Sequence, residues 1–305
     1  MCLQVLPPRT SIMELFIAQL INGLSAGSIY ALVALGYTMV YGIVKLINFA
    51  HGDVIMVGSY IIYFLARYAG VPFLLAVFLA MVGCAILGVL MEKVAYKPLR
   101  NATRLSALIT AIGVSLFLQN AFMVAFRPDP RPFPSLGVEG SVTLFGDVTV
   151  SWLAIITISV SALMMLLLHL FVKKTKMGKA MRAVSEDSGA ASLMGVNVNN
   201  TIAVTFAIGS ALAAVGSALY ASTFPLVEPF MGLQMGLTAF VAAVLGGIGI
   251  IPGAMLGGLL LGVIESLTRA YVSTLWSDAV VFGILILVLL IKPSGLLGKT
   301  VREKV

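Results

Sequence analysis

Long apolar stretches separated by short polar segments occupy most of this chain. A helix needs about 20 consecutive apolar residues to cross the hydrocarbon core of a bilayer. The spacing therefore predicts an all-α fold, a polytopic bundle of membrane-spanning helices joined by loops. The eight apolar stretches are 14–45, 54–66, 72–92, 105–126, 152–172, 201–224, 237–264 and 274–291.

Basic residues between these stretches predict which loops face the cytoplasm. Lys and Arg accumulate in cytoplasmic loops close to the ends of spans, and in this chain they cluster in 93–104, 173–182 and 292–304. Eight single crossings would leave the last cluster outside. At least one stretch must therefore hold two helices.

Two stretches are too long for a single untilted span. The stretch 237–264 is interrupted by glycines and by Pro252, and the stretch 14–45 also contains internal glycines. Splitting both predicts about ten transmembrane helices with the N- and C-termini in the cytoplasm. A count of eight to nine is the alternative.

The two expected helix breaks have a similar sequence pattern. Segments 46–60 and 248–262 each pass through a polar or Gly/Pro break and then resume with glycines among apolar residues. Interrupted segments at corresponding positions of two halves indicate a substrate pathway, although ordinary glycine-rich turns would give the same pattern. The candidate pathway residues are Asn48, His51, Asp53, Gly246, Gly247, Gly249, Pro252 and Gly253.

The ionisable residues of the first break allow two interpretations. Charged groups at membrane depth are costly and usually functional, and Asp53 near a helix N-terminus is favoured by the helix dipole. Alternatively, Asp53 lies at the cytoplasmic boundary and His51 among the lipid headgroups. We expect a structural or gating role rather than direct contact with substrate.

Small residues four positions apart predict close helix packing, because they let two backbones approach each other. Glu265 and Arg269, also four apart, are expected to pair at the outer interface. The small-residue pairs are Gly23/Gly27, Gly232/Gly236, Gly253/Gly257 and Gly258/Gly262.

The loop 173–200 carries an amphipathic pattern that predicts a cytoplasmic helix over 178–195. Its apolar face needs a partner, and the expected partner is a cytoplasmic protein. Arg182, Glu186 and Asp187 are expected at the rim of that contact. The candidate contact residues are Ala180, Arg182, Val184, Glu186, Asp187, Ala191, Met194 and Gly195.

Composition agrees with a membrane protein and argues against enzymes. Hydrophobic residues make up 60% and charged residues 10% of the chain, against roughly 25% charged in soluble domains. The basic residues, which give a net charge of +7, flank spans and lack interleaved aromatics, so no nucleic-acid surface is predicted. We expect no catalytic nucleophile, no metal site, since His51 and His169 are the only histidines, and no cofactor.

The tail sequence PSGLLGKT at 293–300 resembles a phosphate-binding loop. Such a loop needs a preceding strand and a following helix, so we do not expect this chain to bind ATP. The predicted organisation is a leader over 1–13, with Met13 as an alternative start, one transmembrane domain over 14–292 that includes the loop 173–200, and a cytoplasmic tail over 293–305. No disulfide is expected between Cys2 and Cys84.

Several motifs resemble the permeases of bacterial branched-chain amino acid ABC importers, and specifically the LivH-type subunit. The resemblance covers essentially the whole chain after Met13, with one departure: Asp53 stands where such permeases usually carry Glu. The matching segments are 31–60, 92–100, 108–120, 176–197 and 242–267.

The resemblance implies a multi-pass subunit of the bacterial inner membrane that conducts leucine, isoleucine and valine. It also implies a second permease subunit, two cytoplasmic ABC ATPases that dock on the helix at 178–195, and a periplasmic substrate-binding protein. One alternative is a permease of the same family for urea or another small solute. Another is a proton-coupled secondary carrier that uses Asp53 and His51 as a relay.

Overall fold

The computed structural model describes residues 12–100, 102–134, 136–138, 140–143 and 148–298. It is almost entirely helical, which confirms the predicted all-α polytopic fold. The helices are α1 (Ile12–Val44), α2 (His51–Arg67), α3 (Phe73–Met91), α4 (Arg104–Phe126), α5 (Trp152–Lys174), α6 (Lys176–Glu186), α7 (Ser188–Leu193), α8 (Val198–Thr223), α9 (Met231–Gly246), α10 (Ile251–Tyr271) and α11 (Ser277–Ile291).

Short elements link these helices. A π-helical turn and a 3-10 turn extend α3 to Leu99, and a 3-10 turn precedes α11. The strands are β1 (Arg131–Pro132), β2 (Ser141–Thr143), β3 (Thr149–Ser151) and β4 (Leu226–Val227), with β1 antiparallel to β4 and β2 antiparallel to β3.

Seven of the described helices are long and apolar enough to cross a membrane: α1, α3, α4, α5, α8, α10 and α11. Helices α2 and α9 have 17 and 16 residues and adjoin the two breaks. The stretch 237–264 is divided between α9 and α10, as expected. The predicted count of ten helices is not confirmed.

The expected division of 14–45 is wrong, because α1 is one continuous helix of 33 residues. At a rise of 1.5 Å per residue it is about 50 Å long, well beyond the roughly 30 Å of a bilayer core. Its internal glycines do not interrupt it. They provide the surface on which another helix packs.

The glycines of α1 lie directly against those of α10. A Cβ added at Gly27 would lie 2.8 Å from the carbonyl oxygen of Gly258, and one at Gly23 would lie 2.7 Å from the Cα of Val263. Gly262 faces Gly27 in the same contact. The two predicted small-residue pairs therefore form one backbone-to-backbone interface.

The remaining small-residue pairs pack in the same way. A Cβ at Gly253 of α10 would lie 2.5 Å from the carbonyl oxygen of Gly246, at the end of α9. A Cβ at Gly236 of α9 would lie 2.7 Å from the Cα of Gly52, at the start of α2. Helices α2, α9, α10 and α1 thus form a continuous series of close contacts.

The loops gather at two ends of the bundle. At one, the loop end, β1 pairs with β4, and the first turns of α1 pack against Val148 and Val150. At the other, the basic end, Arg100 bonds to Glu92 and to Asn199 at the start of α8. Helices α6 and α7 and the segment 292–298 also lie at the basic end.

Substituting alanine for Gly27 should destabilise the protein, because the added methyl group would overlap the backbone of α10. Overpacking of this kind costs about 1–3 kcal/mol. The matched control is Gly113→Ala in α4, where a Cβ would meet nothing within 4 Å and helix propensity should give a gain of up to about 1 kcal/mol. Unfolding of the purified chain in detergent measures both; equal stability of the two variants would contradict the packing assignment.

Candidate functional site

The start of α2 places three predicted residues deep inside the bundle. Asn48, His51 and Asp53 are each about 98–99% buried. This burial keeps the His51 ring out of direct contact with lipid headgroups; the depth of Asp53 in the membrane stays a prediction. Asp53 lies in the first turn of α2, where the helix dipole favours a carboxylate.

Asp53 is held by α4. The Gln119 side-chain amide donates to the Asp53 carboxylate over 2.9 Å and also lies 3.1 Å from the Ser115 hydroxyl. All three side chains are buried. A hydrogen bond to a buried charged group is worth about 1.5–3 kcal/mol, so this contact fixes α4 against the start of α2.

Asn48 and His51 contact other helices. The Tyr96 hydroxyl, in the extension of α3, donates to the Asn48 carbonyl oxygen over 2.7 Å. The His51 ring meets Tyr37 of α1 edge-on, with centroids 4.8 Å apart. Within the described residues, His51 Nε2 and Asn48 Nδ2 have no hydrogen-bond partner, and no group of three His, Cys, Asp or Glu side chains could hold a metal ion.

The second break, between α9 and α10, depends on glycine. Gly247 and Gly249 have φ angles of +110° and +93°. Residues other than glycine rarely adopt such positive angles. Pro252 lies in the first turn of α10, where its missing amide hydrogen costs nothing. Gly249 also lies against Gly42, near the end of α1, so the break is closely packed.

The segment after α11 closes this break. The amides of Leu296 and Leu297 donate to the carbonyl oxygens of Leu245 and Gly246 over 2.9 and 3.0 Å. The last carbonyls of a helix have no partner within it, and the tail therefore caps α9. Within 293–298, the motif that resembles a phosphate loop serves as this cap; Lys299 and Thr300 lie outside the described residues.

A cavity of about 330 Å³ lies at the basic end and joins the second break to α6. Gly249 and Pro252 line one wall, and Met181 and Arg182 of α6 line another. His169 of α5 completes the wall between them. A movement of α6 would therefore take place directly beside the α9–α10 break.

The expected single helix over 178–195 is in fact two, α6 and α7, which we call the elbow. Thr175 caps the start of α6 through the Gly178 amide at 3.0 Å, and Asp187 caps α7 through the Ala190 amide at 2.9 Å. Gly195, with φ +83°, follows the end of α7. An acceptor side chain at Asp187 ends one helix and starts the next.

The apolar face predicted for a partner needs correction. Val184 and Ala191 are 3% and 4% exposed, and α6 packs against α1, α5 and α8 of this chain. Met194 is 84% exposed, and so is its neighbour Leu193, at 90%. Ala180 is half-buried, while Arg182, Glu186, Asp187 and Gly195 are exposed.

Sequence reasoning missed four groups that shape these sites: Gln119, Tyr96, Leu193 and the tail residues 295–297. Gln119 had a usable signal, since it is a polar residue within an apolar stretch. Tyr96 and the tail had none, because their partners are remote in sequence. Leu193 was passed over because the helix period assumed one continuous helix across Asp187.

Comparison with known proteins identifies relatives of the whole chain. Residues 19–289 match the family described as branched-chain amino acid transport system / permease component. The high-affinity branched-chain amino acid transport system permease protein BraD of Pseudomonas aeruginosa is 46% identical over 303 residues, which cover 95% of this chain and 98% of BraD.

Two proteins of Escherichia coli (strain K12) are also similar. The high-affinity branched-chain amino acid transport system permease protein LivH is 45% identical over 302 residues, which cover 95% of this chain and 98% of LivH. The permease protein LivM, named for the same transport system, is 27% identical over 296 residues, which cover 89% of this chain and 68% of LivM.

Replacing Gln119 with leucine should destabilise the chain by about 2–3 kcal/mol, because the buried Asp53 carboxylate would lose the hydrogen bond from Gln119. Asn120→Leu is the control, since Asn120 is exposed and, among the described residues, its side chain bonds to the Leu116 carbonyl of its own helix. Thermal unfolding in detergent measures both. Unchanged stability of Gln119→Leu would show that the contact does not hold α4 in place.

Proposed function

The chain belongs to the family of branched-chain amino acid transport permease components, and from that membership we propose that it forms the membrane pathway of an ATP-binding-cassette importer for leucine, isoleucine and valine. The observation that carries the proposal is 46% identity to BraD across 95% of the chain. Similarity over that extent includes both helix breaks and the elbow. The chain is a transport component and has no enzymatic role.

Three kinds of partner follow from the proposal. Of two cytoplasmic ATPases in the assembly, one would dock on the elbow of this chain, where Leu193 and Met194 present exposed apolar side chains. A periplasmic binding protein would select the amino acid, since the described residues of the loops at the opposite end form only two-stranded pairs. A second permease subunit is supported by the similarity to both LivH and LivM of one bacterium.

The break between α9 and α10 is the proposed point of coupling. The cavity at the basic end is lined by Arg182 of the elbow and by Gly249 of the break. A push on α6 would reach the break directly, and the glycine backbone there has the freedom to change conformation. Asn48, His51 and Asp53 are proposed to anchor the start of α2 beside this moving part.

The orientation proposed from the structure differs from the sequence prediction at the N-terminal side. The basic end, with the elbow, would face the cytoplasm according to the positive-inside rule. Because α1 is unbroken, its first turns lie at the loop end, next to Val148 and Val150. Met13 would therefore face the periplasm and Lys292 the cytoplasm.

The alternatives draw no support from a specific contact. A proton relay would require Asp53 and His51 to exchange protons along a shared path, yet Asp53 bonds to Gln119 and His51 meets Tyr37 edge-on. The similarities favour branched-chain amino acids over urea or another small solute.

Replacing Leu193 with glutamate should detach the ATPases or abolish ATP-driven leucine uptake by the reconstituted transporter. A charge in the centre of a packed contact costs about 2 kcal/mol or more, which corresponds to a binding loss of about 30-fold. Co-purification of the ATPases and uptake of labelled leucine measure the two effects. Leu193→Met is the control, because it keeps an apolar side chain and should retain both.

Two outcomes would contradict this proposal. Full co-purification and full uptake by Leu193→Glu would remove the elbow as the docking site. Leucine uptake by the wild-type assembly that continues without ATP and stops with an uncoupler would indicate a secondary carrier. Ala191→Glu is not a substitute for this test, because Ala191 is buried within the chain itself.

Single cysteines test the proposed orientation, in a chain from which Cys2 and Cys84 have been replaced. Met13→Cys should react with an impermeant thiol reagent from the periplasmic side, as should the reference Glu228→Cys in the loop before α9. Ser188→Cys in α7 should react only after the membrane is opened. Reaction of Met13→Cys together with Ser188→Cys would restore the sequence-based prediction of a cytoplasmic N-terminal side.

A further inference from the structure

A second cavity, with both polar and apolar side chains on its wall, lies at the loop end of the bundle, remote from the breaks and the elbow. Its volume is about 300 Å³, at the lower end of the roughly 300–1,000 Å³ typical of small-molecule sites. Helices α1, α8 and α10 and the start of α5 line it. Asn22, Ser151 and Phe224 are exposed side chains on its wall, so the cavity can be reached from outside.

Two opposite charges occupy the wall of this cavity. Glu265 and Arg269, one turn apart on α10, form an ion pair, as their spacing predicted. Glu265 is 95% buried, and its second carboxylate oxygen, Oε2, has no hydrogen-bond partner among the described residues. The Tyr30 hydroxyl lies beside the same carboxylate, so a protein donor serves part of the group. The buried oxygen that is left without a partner is costly, which points to a ligand that supplies a further donor.

A smaller chamber of about 140 Å³ shares the ion pair. Tyr30 and Tyr220 line both chambers, so the pair lies at their junction. Gln234 and Asp278 line only the smaller chamber. The larger chamber thus has apolar and aromatic walls beside one acid and one base.

The charge balance decides which ligand fits. A simple anion would pair with Arg269 but meet the Glu265 carboxylate, and a simple cation would pair with Glu265 but meet the guanidinium. A zwitterion carries both charges close together, so it can align antiparallel to the ion pair and satisfy each group. Ala26, Ile29 and Leu153 on the wall of the larger chamber suit an apolar side chain.

We propose that this cavity is a binding site for a free branched-chain amino acid, with Glu265 holding its ammonium group and Arg269 its carboxylate. The inference rests on the proposed transport function and adds a substrate site at the outer end of the chain. The site would receive the amino acid before it reaches the breaks at the basic end.

Protection of a cysteine tests the site on the full-length chain in liposomes. With Cys2 and Cys84 replaced, Asn22→Cys is placed on the cavity wall and reacted with N-ethylmaleimide. L-leucine should slow the reaction by a factor of about 1 + [L]/Kd, so twofold when its concentration equals Kd. Met13→Cys, outside the cavity, is the control and should react at the same rate with and without leucine.

Two analogues test the zwitterion requirement. The carboxylate 4-methylpentanoate lacks the ammonium group and 3-methylbutylamine lacks the carboxylate, so neither should protect Asn22→Cys at concentrations where leucine does. Equal protection by either analogue, or none by leucine, would overturn the proposal. These labelling rates require no ATPase, so leucine uptake by the assembled transporter remains a separate test of the transport function.

Two variants assign the residues. Glu265→Gln removes the acid and should abolish protection by leucine. Because this buried substitution could also weaken the fold, Ala26→Leu provides a second variant that fills the cavity and leaves the ion pair intact. It should abolish protection while the unfolding midpoint in detergent stays close to that of the parent. Protection that persists in Ala26→Leu would overturn the assignment.

Discussion

The contact between α1 and α10 is the constraint on which the rest of the structure depends. Lipid tails are as apolar as leucine, so helices in a membrane associate through close packing rather than through the hydrophobic effect. Gly23 and Gly27 on one helix and Gly258 and Gly262 on the other bring the two backbones into direct contact. That contact holds α1 as one continuous helix through the centre of the bundle and positions α10. The α9–α10 break follows at a fixed place, against Gly42 near the end of α1.

The basic end converts this packing into a mechanical connection. The break needs positive φ angles at Gly247 and Gly249, and the tail amides of Leu296 and Leu297 satisfy the carbonyls that the break leaves open. The elbow lies on the other side of a shared cavity. A force applied at Leu193 and Met194 would therefore reach a segment whose conformation depends on glycines with positive φ angles and on the cap that the tail provides. The beginning of α2, by contrast, is fixed to α4 through Gln119 and to the extension of α3 through Tyr96.

The two predicted pathway segments are thus different in kind, although their sequence patterns are alike. The segment at 46–60 buries polar and ionisable side chains, which connect α2 to α1, to α4 and to the extension of α3. The segment at 248–262 packs on its neighbours largely through backbone contacts between glycines. Burial explains the difference. A polar side chain inside a bundle must find hydrogen-bond partners, whereas glycine has no side chain to bond and only lets two backbones approach closely. The same requirement applies to Glu265, whose second oxygen lacks a partner in the described part of the chain.

The sequence by itself determined the class of fold, the positions of most helices, the break between α9 and α10, the glycine pairs and the Glu265–Arg269 pair. These follow from local rules of hydropathy, helix period and residue size. Predictions from the sequence were wrong where a residue's role depends on which other surface it contacts in the folded chain. The glycines of α1 were expected to divide it, yet they pack on α10 and leave it continuous. Val184 and Ala191 were expected to face a partner protein, yet they face this chain. Gln119, Tyr96 and the tail gained their roles from groups more than 45 residues away. An apolar residue gives the same sequence pattern whether it contacts lipid, another protein or its own chain. Only the tertiary structure shows which of these three it contacts.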